Sequence, residues 1–310
     1  MATRATRSAS GAASSSDEES SCLVLALSHD ELGVIFDGLA DPLQPVVAVA
    51  LSSTCLGLRT PLRAALGVLA ARHEKAVAWC LRHCAPENRN CAALRDTAHL
   101  NLHHPRLTGG DWATLGMILR TRGLPRLQDL RTTGSVFGDV GMPALCDGLD
   151  RGSAPSLRTL VVCSCNIGPA GAEAFAAALN RGAFPQLEML VLADNPFGEQ
   201  GIAALGPALR KLPALKTLYF EACEIGDEGV ASLVADLGKD DFKKLQQLAL
   251  HANKITDAGA AKLLTAINAG GLPKLGNKDA LLFFGNSVSD SAAAAVAAAL
   301  AKRSVDARRS

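Results

Sequence analysis

From Leu127 onward the chain repeats one leucine framework at a nearly fixed period, which constrains the fold more than any local propensity does. The segments begin LQDLRTTGSVFGDVG at Leu127, LRTLVVCSCNIGPAG at Leu157, LEMLVLADNPFGEQG at Leu187, LKTLYFEACEIGDEG at Leu215 and LQQLALHANKITDAG at Leu245. They follow the pattern L-x-x-L-x-L-x-x-(N/C)-x-(I/F)-(G/T) with few exceptions: Thr132, Val162 and Phe220 stand at the third leucine and Ser135 at the N/C position. A module of this size cannot bury its own apolar face, so successive modules must stack and share a continuous core. Such a solenoid offers a binding surface more readily than a reaction centre.

Within each module, the L-x-L pair points alternate side chains to one face of a short strand, and (N/C)-x-(I/F)-G then turns the chain inward. A helix follows and buries the next apolar residues. In Leu187–Ala214 the inward set is Leu187, Leu190, Leu192, Phe197, Ile202, Leu205 and Leu209. Burial of each such side chain contributes roughly 1.5–3 kcal/mol before ordering entropy is charged. The turn position reads Pro105, Ser135, Cys165, Asn195, Cys223, Asn253 and Asn286. An asparagine there can satisfy backbone groups of adjacent loops, and Cys165 and Cys223 read as structural substitutes. The pairs Leu124-Pro125, Phe184-Pro185, Leu212-Pro213 and Leu272-Pro273 follow the helices, which proline cannot extend.

The array extends beyond its clean portion. Leu100, Leu102 and Leu107 fill framework positions of an atypical first repeat over about 95–126. Leu281, Phe283, Asn286 and Val288 fill them in a last one, after an insertion from Gly276 to Lys278, and Ser291–Lys302 supplies its alanine-rich helix. The expected fold is α/β: a horseshoe of about seven repeats over 94–302, with a parallel sheet inside and helices outside. The period, the outer helix and the turn glycines Gly138, Gly168, Gly198 and Gly226 resemble the ribonuclease-inhibitor-like class of leucine-rich repeats. That resemblance implies a protein partner gripped on the concave sheet or loop rim, and members of the class include enzyme inhibitors, GTPase-activating proteins and ubiquitin-ligase substrate receptors.

Composition agrees with this layout. Apolar residues make up 48% of the chain and aromatics 4%, so the core must be chiefly aliphatic. Lys and Arg number 31 against 30 Asp and Glu, which leaves no global field to attract nucleic acid or an anionic membrane. Nine cysteines without an apolar leader segment point to the cytosol or nucleus. The start MATRATRSASGAASSS faintly resembles an organelle transit peptide, but DEES follows at once and no amphipathic face forms. Residues 1–20 read as a disordered tail and 303–310 as a short basic one.

Residues 21–93 lack the leucine framework and read as helical. Ser28-His29-Asp30-Glu31 forms a capping box ahead of Leu32, Ile35, Phe36 and Leu39. Asp41-Pro42 ends that helix, Val46–Leu51 forms a second apolar stretch, and Thr60-Pro61 starts a helix expected to run to about Cys84. The block serves as a cap over the first repeat. Leu27, Glu31-Leu32, Ile35-Phe36, Leu39, Pro42-Leu43, Val46–Leu51 and Cys55 loosely resemble an F-box. The resemblance covers about 30 residues, has Ser28 where that family places proline, and lacks a tryptophan near Leu58. It implies that Leu32, Ile35, Phe36 and Leu39 dock a ubiquitin-ligase adaptor.

Strand residues between framework leucines describe what the array could hold. One column reads Asn101, Arg131, Val161, Val191, Tyr219, Ala249 and Leu282; the next reads His103, Thr133, Cys163, Ala193, Glu221, His251 and Phe284. Tyr219, Glu221, His251, Leu282 and Phe284, with Asp194 at their edge and Arg131 further up the array, form the expected contact surface, because tyrosine and other aromatics anchor interfaces. Glu221, Glu224, Asp227 and Glu228 cluster at one turn. His103 and His104 read as exposed, and Lys239, Lys243 and Lys244 alternate with acids in a solvated helix end.

His73, Cys80, His83, Cys84 and Cys91 lack the paired spacing of a zinc knuckle. G-x4-G-K-(S/T), G-x-S-x-G and H-E-x-x-H are absent from the sequence. The sequence therefore reads as a non-enzymatic protein-binding scaffold or adaptor with no cofactor, metal, nucleic acid or membrane partner. The alternatives are an F-box-type substrate receptor of a cullin ubiquitin ligase and a small-GTPase regulator, for which Arg131 is the one catalytic candidate.

Overall fold

A computed structural model of the chain describes residues 31–32, 35–36, 39–53, 62–86, 89–102, 107–121, 123–134, 138–238, 240–276 and 280–306. The chain divides into two compact units: Met1–Ala40 with Pro45–Ala70, and Asp41–Gln44 with Ala71–Ser310. The expected N-terminal block thus contributes residues to both.

In the first unit, α1 spans Val46–Ser53 and the long α2, Arg63–His83, begins. Leu32, Phe36, Ala40, Ala48, Leu62 and Leu69 form its small core, with Leu39, Leu51, Ala65 and Leu66 packed against it. The capping box at Ser28 and the Thr60-Pro61 helix start lie outside the described residues.

In the second unit, strand and helix alternate: α3 Cys91–Asp96, β1 His99–Leu102, α4 Gly109–Arg120, β2 Asp129–Thr133, α5 Gly138–Cys146, β3 Thr159–Cys163 and α6 Pro169–Asn180. The pattern continues through β4 Met189–Val191, α7 Gly198–Arg210, β5 Thr217–Tyr219, α8 Asp227–Val234, β6 Gln247–Ala249, α9 Asp257–Asn268, β7 Leu281–Leu282 and α10 Asp290–Asp306. The strands form one seven-stranded parallel sheet in sequential order. Leu100, Leu130, Leu160, Leu190, Leu218, Leu248 and Leu281 lie in one register row, all buried. Strands need about 4.8 Å each and packed helices 8–10 Å, so stacking them in pairs turns the strand face to the inside of the curve. This is the expected α/β leucine-rich-repeat solenoid.

The inward set named for Leu187–Ala214 is buried throughout. Phe197 meets Phe220 of the next repeat edge-on at 6.1 Å. At the N-terminal end, Ala76, Trp79, Cys80, Cys84 and Leu94 join the same core as Leu100, Leu102 and Trp112. A polar joint fastens this end: Asp111 Oδ1 lies 2.9 Å from His83 Nε2 and 3.3 Å from Arg82 Nη2, while Asp111 Oδ2 accepts the Thr108 amide and hydroxyl at the start of α4. At the other end, α10 continues past Lys302 to Asp306, into what was expected to be tail. Arg303 explains the extension: its guanidinium donates to the carbonyls of Ile267, Gly271 and Leu272 in the preceding repeat.

Asparagine ties the turns together. Asn195 Oδ1 accepts the amides of Cys165 and Ile167, both at 3.1 Å, while its Nδ2 donates to the carbonyls of Val162, Leu192 and Ala193. Asn253 makes the equivalent set with Cys223 and Ile225, and Asn286 accepts from Asn253 and Ile255. Cysteine at this position only donates: Cys223 Sγ reaches the carbonyls of Leu192 and Glu221 at 3.2 Å. The preceding turn compensates. Gly198 adopts φ +59° and donates its amide to Cys223 O, whereas Gly226, which precedes an asparagine repeat, sits at φ −100°.

Carboxylates tie the helix starts. Asp139 Oδ1 accepts the amides of Gly168 and Gly171 one repeat on, and Asp227 does the same for Thr256 and Gly259 and also bonds the Thr256 hydroxyl. Burial raises the Asp227 carboxyl, but these bonds and nearby Lys262 outweigh it and hold the group below its ordinary value. Asp111 is likewise held low: burial raises it, and Thr108 and His83 outweigh that. A carboxylate with a depressed folded pKa stabilises the fold above its unfolded value, about 4, and that stabilisation is lost as pH falls through the folded value. Denaturant midpoints of the full chain should therefore fall steeply below about pH 4. Asp227→Asn should flatten that slope; an unchanged slope would remove Asp227 from the account.

Candidate strand-face interaction site

Side chains at alternate strand positions leave the sheet on the side away from the helices. The register places Asn101, Arg131, Val161, Val191, Tyr219, Ala249 and Leu282 in one row. The next row is carried past the short strands by loop hydrogen bonds, Ser164 N to Ala193 O, Asp194 N to Glu221 O, Ala222 N to His251 O and Ala252 N to Phe284 O. Both rows run as the repeat spacing anticipates, except that His103 lies outside the described residues.

Neighbouring repeats assemble the C-terminal part of this face. His251 Nε2 lies 2.9 Å from Glu221 Oε2, and the imidazole stacks on the Phe284 ring at 4.7 Å with 17° between planes. Its Nδ1 is buried and has no hydrogen-bond partner. Phe284 is 67% exposed, so one ring face packs while the rest stays open. The Tyr219 hydroxyl donates to Gln247 Oε1 at 2.9 Å, which fixes the ring over β6. Leu282 and Glu221 are half-buried, and Asp194 is exposed at the edge in a left-handed turn at φ +55°. The structure thus brings Tyr219, Glu221, His251, Leu282 and Phe284 onto consecutive strands or the turns that follow them. Arg131 stands apart, exposed on β2. Ala193 and Ala249, counted as face positions, are buried.

A third row escaped the sequence reading. The residue just before each framework leucine of the strand also faces outward, giving His99, Asp129, Thr159, Met189, Thr217 and Gln247. Strand alternation carried two residues back from Arg131 would have found it. His99 Nδ1 lies 2.7 Å from Asp129 Oδ2, and Met189 adds an exposed thioether beside Val161 and Val191.

Several conspicuous groups are occupied elsewhere. Lys254 pairs with Glu224 and Lys262 with Glu228, each at 2.8 Å and one repeat on, while Asp227 caps α9. The acidic turn is therefore largely spent inside the array. Along the opposite strand edge, Glu188 takes Lys216 and Arg158, and the Lys216 bond chiefly holds its carboxyl low. Burial pushes the Cys163 thiol to about 11 and Cys223 to about 12, which leaves both unreactive. His73 bonds Pro42 O, His83 bonds Asp111, and Cys80 and Cys84 are buried in the core. Among the described residues no cluster of three or more such side chains could hold a metal ion.

The four residues expected to dock an adaptor separate. Leu32 and Phe36 are 6% and 1% exposed and pack within the small core. Leu39 is half-buried and Ile35 is 43% exposed. His104, Pro105, Ser135 and Lys239 lie outside the described residues.

Residues 153–176 and 211–234 match the family model described as Leucine Rich repeat. The first match takes in β3 and most of α6 and the second β5 and all of α8, so with the seven-stranded parallel sheet they mark the array as leucine-rich repeats. No curated protein matches the chain. Among the described residues no helix is long and apolar enough to cross a membrane.

Proposed function

We propose that this chain is a non-enzymatic scaffold or adaptor of the cytosol or nucleus that holds a partner protein on its strand face, chiefly through Tyr219, Glu221, His251, Leu282 and Phe284. Leucine-rich repeats bind proteins in general, and one observation supports this location: His251 is fixed between Glu221 and Phe284, leaving an aromatic surface open that the array's own core does not use. Rigid aromatic groups lose little entropy on binding and make good anchors. Asp194 lies at the rim of the same patch and Arg131 serves the opposite end.

Tyr219→Ala with His251→Ala should remove most of the partner captured by the full chain, since two anchors together are worth on the order of 2–4 kcal/mol, or a 30-fold to 1000-fold loss. Substitutions of exposed residues on the helix side should leave capture unchanged. Equal recovery by the double variant would remove the face from the account.

The adaptor-docking alternative draws on a different feature. Val46, Val47 and Val49 of α1 are exposed, and so is Ile35, apolar side chains of the kind that seek a partner. Val46→Asp with Val49→Asp should abolish co-purification of a ubiquitin-ligase adaptor if that reading holds. The small-GTPase reading has only Arg131 behind it.

A further inference from the structure

The opposite end of the strand face carries a polar pocket of about 420 Å³, lined by His99, Asn101, Asp129, Arg131, Thr133 and Val161. We propose that this pocket binds an oxyanion, a phosphoryl or carboxylate group presented by a ligand, with Arg131 as its principal donor and His99 and Asn101 beside it.

The arrangement follows from the register. His99 pairs with Asp129 and Asn101 with Arg131 across β1 and β2, so all four side chains leave the same face within two strands. Asp129 orients the site. Its Oδ2 holds His99 Nδ1 at 2.7 Å, which fixes the ring and turns Nε2 outward. Burial raises the Asp129 carboxyl, but hydrogen bonds from Thr159 and His99 and the nearby Arg131 charge outweigh that and hold it ionised. Two hydrogen bonds and one nearby positive charge therefore already offset its negative charge.

Arg131 is the opposite case. Its one ion pair among the described residues is to Asp129 Oδ1 at 3.9 Å, beyond hydrogen-bond distance, and its side chain is 47% exposed. Most of its fork of donors is free, in the geometry that takes a carboxylate or phosphate with two parallel bonds. Asn101 is exposed on the neighbouring strand, and no hydrogen bond of its amide occurs among the described residues. On the facing rows the next acid along the array is Glu221, three strands from Arg131, or roughly 14 Å at strand spacing. On these rows the carboxylate nearest an anion at Arg131 is Asp129, already engaged by these groups, and Asp194 stands at the rim two repeats on.

This site stands independently of the aromatic patch, so loss of either assignment leaves the other intact. Together they would give the face two poles. Between them lie Val161, Val191 and Met189, so a bound segment would place an anionic group over β2 and its apolar or basic groups over β5 to β7.

The test uses the full chain with histidine side chains labelled for nitrogen-detected resonance, and with inorganic phosphate and acetate as separate probes. The His99 signal is identified by its loss in His99→Gln. The proposal expects saturable displacement of that signal with a millimolar dissociation constant, as one to three charge-assisted bonds supply roughly 3–5 kcal/mol. Arg131→Gln should weaken it at least about fivefold, at unchanged melting temperature, and Arg131→Lys by an intermediate amount because charge without the fork remains. Phosphate binding about tenfold or more above acetate identifies a phosphoryl ligand, and comparable binding a carboxylate. No saturable shift with either probe, or equal binding by Arg131→Gln, overturns the proposal.

Discussion

Asn195→Ala is expected to lower the melting temperature by on the order of 10 °C, the largest effect of any single polar substitution in the array. The side chain is fully buried and makes five hydrogen bonds to backbone in two repeats. Truncation leaves the Cys165 and Ile167 amides buried without an acceptor, at about 1–3 kcal/mol each. The carbonyls of Val162, Leu192 and Ala193 lose a donor as well. Asn195→Cys sharpens the prediction. Cysteine occupies this position in two neighbouring repeats, yet it offers no acceptor for those two amides, and the preceding turn with Gly168 at φ −98° is built for asparagine. The cysteine variant should therefore melt close to the alanine variant. A melting temperature near that of the unaltered chain would show that asparagine and cysteine are interchangeable here and that the turn geometry does not discriminate.

Gly116→Ala should destabilise the chain although helix propensity alone favours it. Replacing a mid-helix glycine by alanine ordinarily gains up to about 1 kcal/mol. Gly116 lies in α4 where α5 crosses, and a Cβ there would sit 2.4 Å from Leu145 O and 3.0 Å from Ala144 O. Both contacts are backbone, so the helices must separate, at about 1–3 kcal/mol, and the sign of the change reverses. Gly110 in the same helix is the control: its nearest neighbour would be Thr108 Oγ1 at 3.7 Å, an ordinary contact. Gly110→Ala should be neutral or slightly stabilising in the same denaturant titration. Stabilisation by Gly116→Ala would mean that the helices do not approach this closely.

The strand rows were legible because alternation within a strand and a fixed repeat length together place every side chain on a face. Tyr219, Glu221, His251 and Phe284 could be aligned from sequence for that reason. Their mutual contacts could not, since the stacking of His251 on Phe284 depends on the loop after β7 and on rotamers that a periodic pattern does not encode. The row of His99, Asp129 and Met189 was within reach and was missed: counting began at the framework leucine, while the strand begins one residue earlier. The pairing of the acidic turn was illegible for a related reason. Glu224 and Glu228 look unpaired along the chain, but Lys254 and Lys262 stand one repeat away, and only alignment of repeats brings them together.

The N-terminal block shows where periodicity runs out. Leu32, Phe36 and Leu39 mark an apolar helix face, but helical spacing does not say whether that face meets the chain's own core or a partner. The structure turns Leu32 and Phe36 inward and leaves Ile35 and the valines of α1 exposed. The end of α10 was similarly hidden. RSVDARRS reads as a basic tail, and only the Arg303 contacts to three carbonyls of the preceding repeat reveal continued helix through Asp306.

Hydrogen exchange of the full chain, free and bound to a partner purified through it, tests the central claim most directly. If the partner lies on the strand face, amides in 217–221, 247–252 and 281–285 slow on binding while those of α7, α8 and α9 exchange at unchanged rates. Slowing confined to the outer helices, or to residues before Ala71, would place the contact elsewhere and contradict the account.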